Sequence, residues 1–175
     1  NDAFAITEAA KRPNMHFVRP RSLEQTDMMI VHKLRKRRVD ARTALINQLR
    51  GLLNEYGIVL ATGRATLKNA LHDLLEEAEN GLTGAARELI RDIQQEWASL
   101  DVVIDRLDKH IKTQAQANPN AKRLMTIRGV AEKTATTAIA FAGDGKAYKN
   151  GRHFSANLGL VPKEHSSGGK QKLAG

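Results

Sequence analysis

The sequence predicts a mainly α-helical fold, with long antiparallel or coiled-coil helices followed by a small helical domain that holds a helix-hairpin-helix-like motif. Three observations predict it. Only seven aromatics (four Phe, two Tyr, one Trp) stand among 41% hydrophobic residues, so Ala, Leu and Ile must fill the core, which suits helices better than a β-sandwich. Apolar residues recur at helical period over three long stretches. After Pro119 the chain turns into short segments punctuated by glycine. A chain of 175 residues fits one domain, or an elongated piece with a small globular end, on the rough scale of 100 to 200 residues per domain.

The elements follow in order. DAFAITEAAKRP predicts a short helix from Asp2, with an acid in its first turn, Lys11 and Arg12 in its last, and Pro13 as a stop. An extended segment, MHFVRP, comes next. Ser22 and Gln25 form an [ST]-x-x-[EQ] capping box for a long helix, whose apolar stripe is read as Ile30, Leu34, Ala41, Leu45, Leu49 and Leu52, ending at Gly57. YGIVLATGRAT is a loop, and residues 65–80 make a second amphipathic helix carrying Leu67, Leu71, Leu74 and Ala78, stopped by Asn80 and Gly81.

Residues 83–116 predict a third, longer helix on which Leu89, Ile93, Trp97, Leu100, Ile104, Leu107 and Ile111 approximate a heptad seam. About 34 residues at 1.5 Å each make an arm of about 50 Å. AKRLMTIRGVAEKTATTAIAFAG then reads as helix, tight turn at residues 127–130, and helix. A GDGKAYKNG loop and a short helix over His153–Leu158 lead to the last stretch, GLVPKEHSSGGKQKLAG.

Charge is distributed unevenly. The net charge is +9, yet residues 11–50 hold eleven Lys or Arg against three acids, residues 119–175 ten against three, and residues 71–108 ten acids against three bases. Two basic zones flanking an acidic middle are the footprint of a nucleic-acid binder, because each neutralised phosphate releases condensed counterions. Arg35, Arg38 and Arg42 in the first basic zone share one helix face; they either track a phosphate backbone or form a solvated charged surface. The hairpin with Lys122, Arg123, Arg128 and Lys133 either aims backbone N–H groups at an anion or is purely structural. The acidic arm is expected to pack on the residue 22–56 helix or on another copy of the chain rather than on DNA.

Several chemistries are excluded or disfavoured. With no cysteine there are no disulfides and no thiolate metal sites, which suits a cytoplasmic setting. Apolar runs fall short of the roughly 18 residues of a membrane span, and the first residues lack a signal-peptide layout. The histidines, at 16, 32, 72, 110, 153 and 165, show no metal-binding spacing. GDGK at 143–146 is not a Walker loop, since it lacks the glycine spacing and the following Ser or Thr. Ser166 and Ser167, ringed by Lys163, Lys170 and Lys172 and followed by Gly168 and Gly169, are either nucleophiles held against a phosphate, with His165 as a candidate base, or part of a linker.

LINQLRGLLNEYGIV at 45–59, RLMTIRGVAEKTATTAIAFAGDGKAYKNGRHFSANLGLVPKEHSSGGKQKLAG at 123–175 and NDAFAITEAAKRPNMHFVRPRS at the start resemble the insertion-sequence transposases that include the pilin-gene inverting recombinase and the bridge-RNA-guided serine recombinases. The resemblance implies the end of a RuvC-like nuclease domain over 1–20, a helical coiled-coil region over 21–118 and a truncated C-terminal transposase domain over 119–175. It implies Ser167, with Ser166 as fallback, as a nucleophile that attacks DNA, and Asp2 as one of four acids holding Mg²⁺, the other three expected before residue 1. Arg35, Arg38, Arg42, Arg128, Lys133, Lys163 and Lys170 are the expected nucleic-acid contacts, and DNA, a guide RNA and further copies of the chain through the coiled coil the expected partners. One departure stands out: where the family's hairpin reads G-V-G, this sequence has Gly129, Val130 and Ala131, which disfavours a positive φ at the last of the three. The alternative is a non-catalytic nucleic-acid-binding or coiled-coil oligomerisation module.

Overall fold

The computed structural model describes residues 2–15 and 20–160, together with the backbone of two short strands at 163–164 and 173–174. Helices dominate: α1 (Asp2–Lys11), α2 (Leu23–Glu55), α3 (Arg64–Glu76), α4 (Gly84–Ala117), α5 (Pro119–Met125), α6 (Glu132–Ala142) and α7 (Gly151–Asn157). Strands β1 (Lys163–Glu164) and β2 (Leu173–Ala174) pair antiparallel, Lys163 opposite Ala174. Most of the segment expected to be extended, MHFVRP, lies outside the described residues.

The long helix α2 starts where its capping box directs. Ser22 Oγ accepts from Gln25 N at 3.1 Å and Gln25 Oε1 accepts from Ser22 N at 3.0 Å, satisfying two of the donors that a helix start otherwise leaves bare. Its end is equally local. Gly57 adopts φ +72°, the N–H of Ile58 donates to Leu53 O and that of Gly57 to Asn54 O, and Leu53 and Ile58 pack in the same cluster, the pattern of a Schellman motif.

Helix α3 stops at Glu76, short of the expected residue 80, and Ala78 is exposed. A side chain from the next helix accounts for this. Arg87 donates to the carbonyls of Leu74 (3.3 Å), Leu75 (2.9 Å) and Glu77 (2.6 Å) and to Asn80 Oδ1 (2.7 Å), while Asn80 Nδ2 also donates to Leu74 O. The last carbonyls of α3 therefore have partners without another turn of helix.

Helices α2 and α4 lie side by side and antiparallel. Arg35 meets Asp108 and Arg42 meets Asp101, so a step forward on one helix is a step back on the other. The main core gathers Leu45, Leu49 and Leu53 of α2, Leu67, Leu71 and Leu74 of α3, and Ala86, Ile90, Trp97 and Leu100 of α4. Fully burying one such leucine contributes about 1.5–3 kcal/mol. A second, smaller cluster of Ala115, Ala121 and Ala135 joins α4, α5 and α6; alanine lets the three backbones approach closely.

Two stripes sit differently from expectation. On α4, Leu89 is 61% exposed and Ile90 buried, because seven residues back from Trp97 drifts only about 20° around the helix whereas eight residues land on another face. On α2, Ile30, Leu34 and Leu52 are 47%, 44% and 41% exposed, and Ala41 is exposed as well. The seam that α2 turns inward is instead Gln25, Met28, His32, Arg35, Val39, Arg42, Ile46, Leu49 and Leu53, alternating steps of three and four, each buried or half-buried. Its N-terminal half is largely polar.

Candidate nucleic-acid interface

The polar half of that seam builds the site. α2 presents Arg35 and Arg42 toward α4, whose acids answer them: Arg35 Nε donates to Asp108 Oδ1 at 2.5 Å and Nη2 to Oδ2 at 3.3 Å, and Arg42 Nη1 donates to Asp101 Oδ1 at 2.7 Å. Lys68 of α3 comes within 3.6 Å of Asp101, and Lys133 of α6 within 3.0 Å of Asp108. Asp108 therefore joins α2, α4 and α6. Burial by itself pushes its carboxyl up, but hydrogen bonds from Arg35 and Lys133, with their charges, hold it below the ordinary carboxylate range.

One helical turn before Arg35, His32 lies against α6. Its Nε2 is 2.9 Å from Thr136 Oγ1, and Thr136 spends its own proton on Glu132 O at 2.7 Å. His32 therefore donates from Nε2, and Thr137 Oγ1, 3.3 Å from both ring nitrogens, is placed to donate to the free Nδ1. Both bonds suit the neutral ring. Burial, followed by the charges of Arg35 and Lys133, pulls its pKa below the usual imidazole value.

At the start of α2, Gln25 Nε2 reaches the carbonyls of Ile139 (3.3 Å) and Ala140 (3.4 Å) near the end of α6. Gln25 and His32 thus attach α6 to α2 directly, and Arg35 does so through Asp108 of α4. Helices α5 and α6 are joined by a turn over residues 126–131, with Val130 N donating to Ile127 O at 3.0 Å. Ala131 is extended, φ −97° and ψ −179°, a conformation open to any residue, so the missing glycine costs nothing there. Arg128 is exposed in the turn.

The expected contact residues are therefore distributed over several places. Arg35 and Lys133 are brought together on Asp108; Arg42 lies two turns along α2, Arg38 half-buried between them, and Arg128 apart on the hairpin turn. His165, Ser166, Ser167 and Lys170 lie outside the described residues, and for Lys163 only the backbone of β1 is described. Asp2 is exposed in the first turn of α1. Among the described residues there is no group of three or more His, Asp or Glu that could hold a metal ion. No described helix is long and apolar enough to cross a membrane.

Sequence reading missed the tertiary roles of His32, Asp101 and Asp108, and for Gln25, read there as part of the capping box, its reach to α6. The available signal was the three-four spacing counted back from Leu53 and Leu49, which runs through polar residues.

Comparison with known proteins finds relatives of this chain. Residues 121–175 match the family model described as Transposase IS116/IS110/IS902 family. The chain is 38% identical over 174 residues to a probable family 20 transposase of Pseudomonas aeruginosa, covering 99% of this chain and 52% of that protein. It is 39% identical over 175 residues to the transposase for insertion sequence element IS1111A of Coxiella burnetii, 100% of this chain and 48% of that protein. It is 37% identical over 174 residues to the transposase for insertion sequence element IS1328 of Yersinia enterocolitica, 99% and 51% respectively. No solved structure matches. The chain spans about half the length of these relatives. The chain is thus similar, over essentially its whole length, to about half of each of these transposases, and its residues 121–175 match the IS116/IS110/IS902 family model.

Proposed function

We propose that this chain is the helical arm and C-terminal catalytic part of an enzyme that cuts and joins DNA during transposition of an insertion sequence. The observation that carries this reading is the match of residues 121–175 to the transposase family, a segment whose helix α6 is fastened to α2 and α4 through Lys133, Asp108 and Arg35. In this reading residues 21–118 are the arm, and residues 1–20 end a nuclease domain.

Ser167 is the proposed nucleophile, with Ser166 as the fallback. Its Oγ forms a bond to phosphorus as a phosphorus–oxygen bond of the DNA backbone breaks. The serine proton leaves to a base, for which His165 is the neighbouring candidate, and the released sugar oxygen takes up a proton. Bound Mg²⁺ would stabilise charge on the phosphate, and Asp2 offers it one carboxylate. Arg35, Arg38, Arg42, Arg128, Lys133, Lys163 and Lys170 serve as contacts to DNA or to a guide RNA. The outer faces of α2 and α4, with Ile30 47% and Val102 69% exposed, are the proposed contact with further copies.

The test is a recombination assay in a full-length transposase carrying this sequence. Ser167→Ala is expected to abolish recombination while DNA binding persists, and Ser166→Ala to retain it. Wild-type recombination by both single variants and by the double variant would overturn the serine mechanism.

A further inference from the structure

The loop GDGKAYKNG and helix α7 have no role in the reading above, yet they build a cavity. A pocket of about 520 Å³ lies between α5, α6, this loop and α7, with Asn120, Arg123, Leu124, Tyr148, Asn150 and Phe154 in its lining. That volume is within the usual range for a small-molecule or single-group site.

Its aromatic wall is held firmly. The Tyr148 ring meets Phe154 edge to face at 5.0 Å and 68°, and His153 at 6.0 Å and 64°. The Tyr148 hydroxyl accepts from Asn157 Nδ2 at 2.8 Å. Both rings are only half-buried, so fixed aromatic surface faces an open space. Two of the chain's seven aromatics, Tyr148 and Phe154, fall within this short stretch.

The surroundings are basic. Over residues 146–154 the sequence KAYKNGRHF interleaves Lys146, Lys149 and Arg152 with Tyr148, His153 and Phe154. Arg123 adds a guanidinium on the α5 side of the cavity, and Lys146 pairs with Asp144 at 3.6 Å. Cations interleaved with aromatic faces are the chemistry that grips single-stranded nucleic acid, the rings stacking on bases and the cations meeting the flanking phosphates. At the rim Asn120 and Asn150 are exposed. The Asn150 Oδ1 accepts from His153 N at 2.9 Å, which leaves its NH₂ group to donate, and an amide of this kind pairs with the edge of a base.

We infer that this cavity receives one unstacked nucleobase of a nucleic-acid strand, seated against Tyr148 and Phe154, with its flanking phosphates on Arg123 and the loop cations. The inference rests on the reading of the chain as a nucleic-acid-acting protein and adds where a base is taken. DNA and RNA present the same stacking face, so a base of either fits.

The experiment compares, on the 175-residue chain, fluorescence-anisotropy binding of oligo-dT, oligo-U and a base-free abasic DNA oligomer of equal charge, each of roughly twelve nucleotides, within the span that aromatic-lined single-strand sites cover. At least one base-bearing strand is expected to bind about tenfold tighter than the abasic strand, and the tighter of dT and U names the source. Tyr148→Leu, checked for folding by circular dichroism, and the surface change Asn120→Ala are both expected to shrink that advantage while leaving abasic binding unchanged. Equal binding of base-bearing and abasic strands would overturn the base pocket but leave the nucleic-acid reading intact. Failure of all three strands to bind would remove that reading together with the pocket.

Discussion

Arg35 of α2 and Asp108 of α4 form a two-point ion pair, at 2.5 and 3.3 Å, and Lys133 of α6 approaches the same carboxylate at 3.0 Å. Both members of the Arg35 pair are less than one third exposed, where a charged hydrogen bond counts for more than on an open surface. Replacing Asp108 by Asn keeps the shape and removes the charge that two cations share. The expected loss is about 1–3 kcal/mol of stability, measured by urea unfolding.

The same pair sets an acid limit. The folded-state pKa of Asp108 lies below its ordinary 3.8, so its contribution is fully present above about that value and is lost as pH falls through the folded pKa. Asp108→Asn should flatten this part of the stability profile while leaving the other carboxylates' share. Parallel urea midpoints between neutral and acid pH would reveal an identical acid slope if Asp108 were not involved.

His32 shifts a different window. Its folded pKa is lowered from 6.5, so the unfolded chain binds a proton that the folded chain refuses between those two values. Stability from the neutral ring is complete above about 6.5 and declines as pH falls toward the folded pKa. His32→Gln, which still offers a donor to Thr136 and an acceptor to Thr137, is expected to remove that decline. Thermal melts across this range decide it, and an unchanged decline in the variant would count against the neutral, two-threonine geometry.

The register of α2 makes a sharper contrast. Leu49 has no exposed surface while Ile30 is 47% exposed. Leu49→Ala is expected to cost about 2–5 kcal/mol, and Ile30→Ala within roughly 0.5 kcal/mol of no change, as for surface positions. Equal losses at the two positions would show that the seam has been misassigned.

Much of the helical framework was legible because its signals are local. The Ser22 box, Gly57 and the spacing of Leu67, Leu71, Leu74, Trp97, Leu100 and Ile104 all act within a few residues. What the spacing could not reveal was a seam built from Gln25, His32, Arg35 and Arg42. A search for apolar period passes over polar residues, and so it settled on Ile30 and Leu34, which face outward. Those four side chains are half-buried because α4 and α6 supply Asp108, Asp101, Thr136 and the end carbonyls of α6, partners about 60 to 115 residues away. The candidate site was legible only as separate charges. That Arg35 and Lys133 meet on one carboxylate is a property of the tertiary fold.

Gly143 tests the attachment of α6 to α2 at its far end. It adopts φ +61°, and a Cβ there would come within 2.9 Å of Gln25 Nε2. Gly143→Ala is expected to destabilise by about 1–3 kcal/mol through a backbone conformation, φ +61° and ψ −124°, that side-chain-bearing residues rarely adopt, together with that contact. In a double-mutant cycle, Gln25→Ala should recover part of the loss, since the clashing atom is then gone. Strict additivity would mean that the Gln25 contact is not made.

The central claim, a serine that joins covalently to DNA, has one direct readout. A full-length transposase carrying this sequence is incubated with its nucleic-acid partners and a nicked suicide DNA substrate, digested, and the DNA-linked peptide is mapped by mass spectrometry. The expected result is a phosphodiester on Ser167, absent from Ser167→Ala. DNA cleavage that proceeds with no protein-linked product, or with the link on a residue other than Ser166 or Ser167, would contradict it.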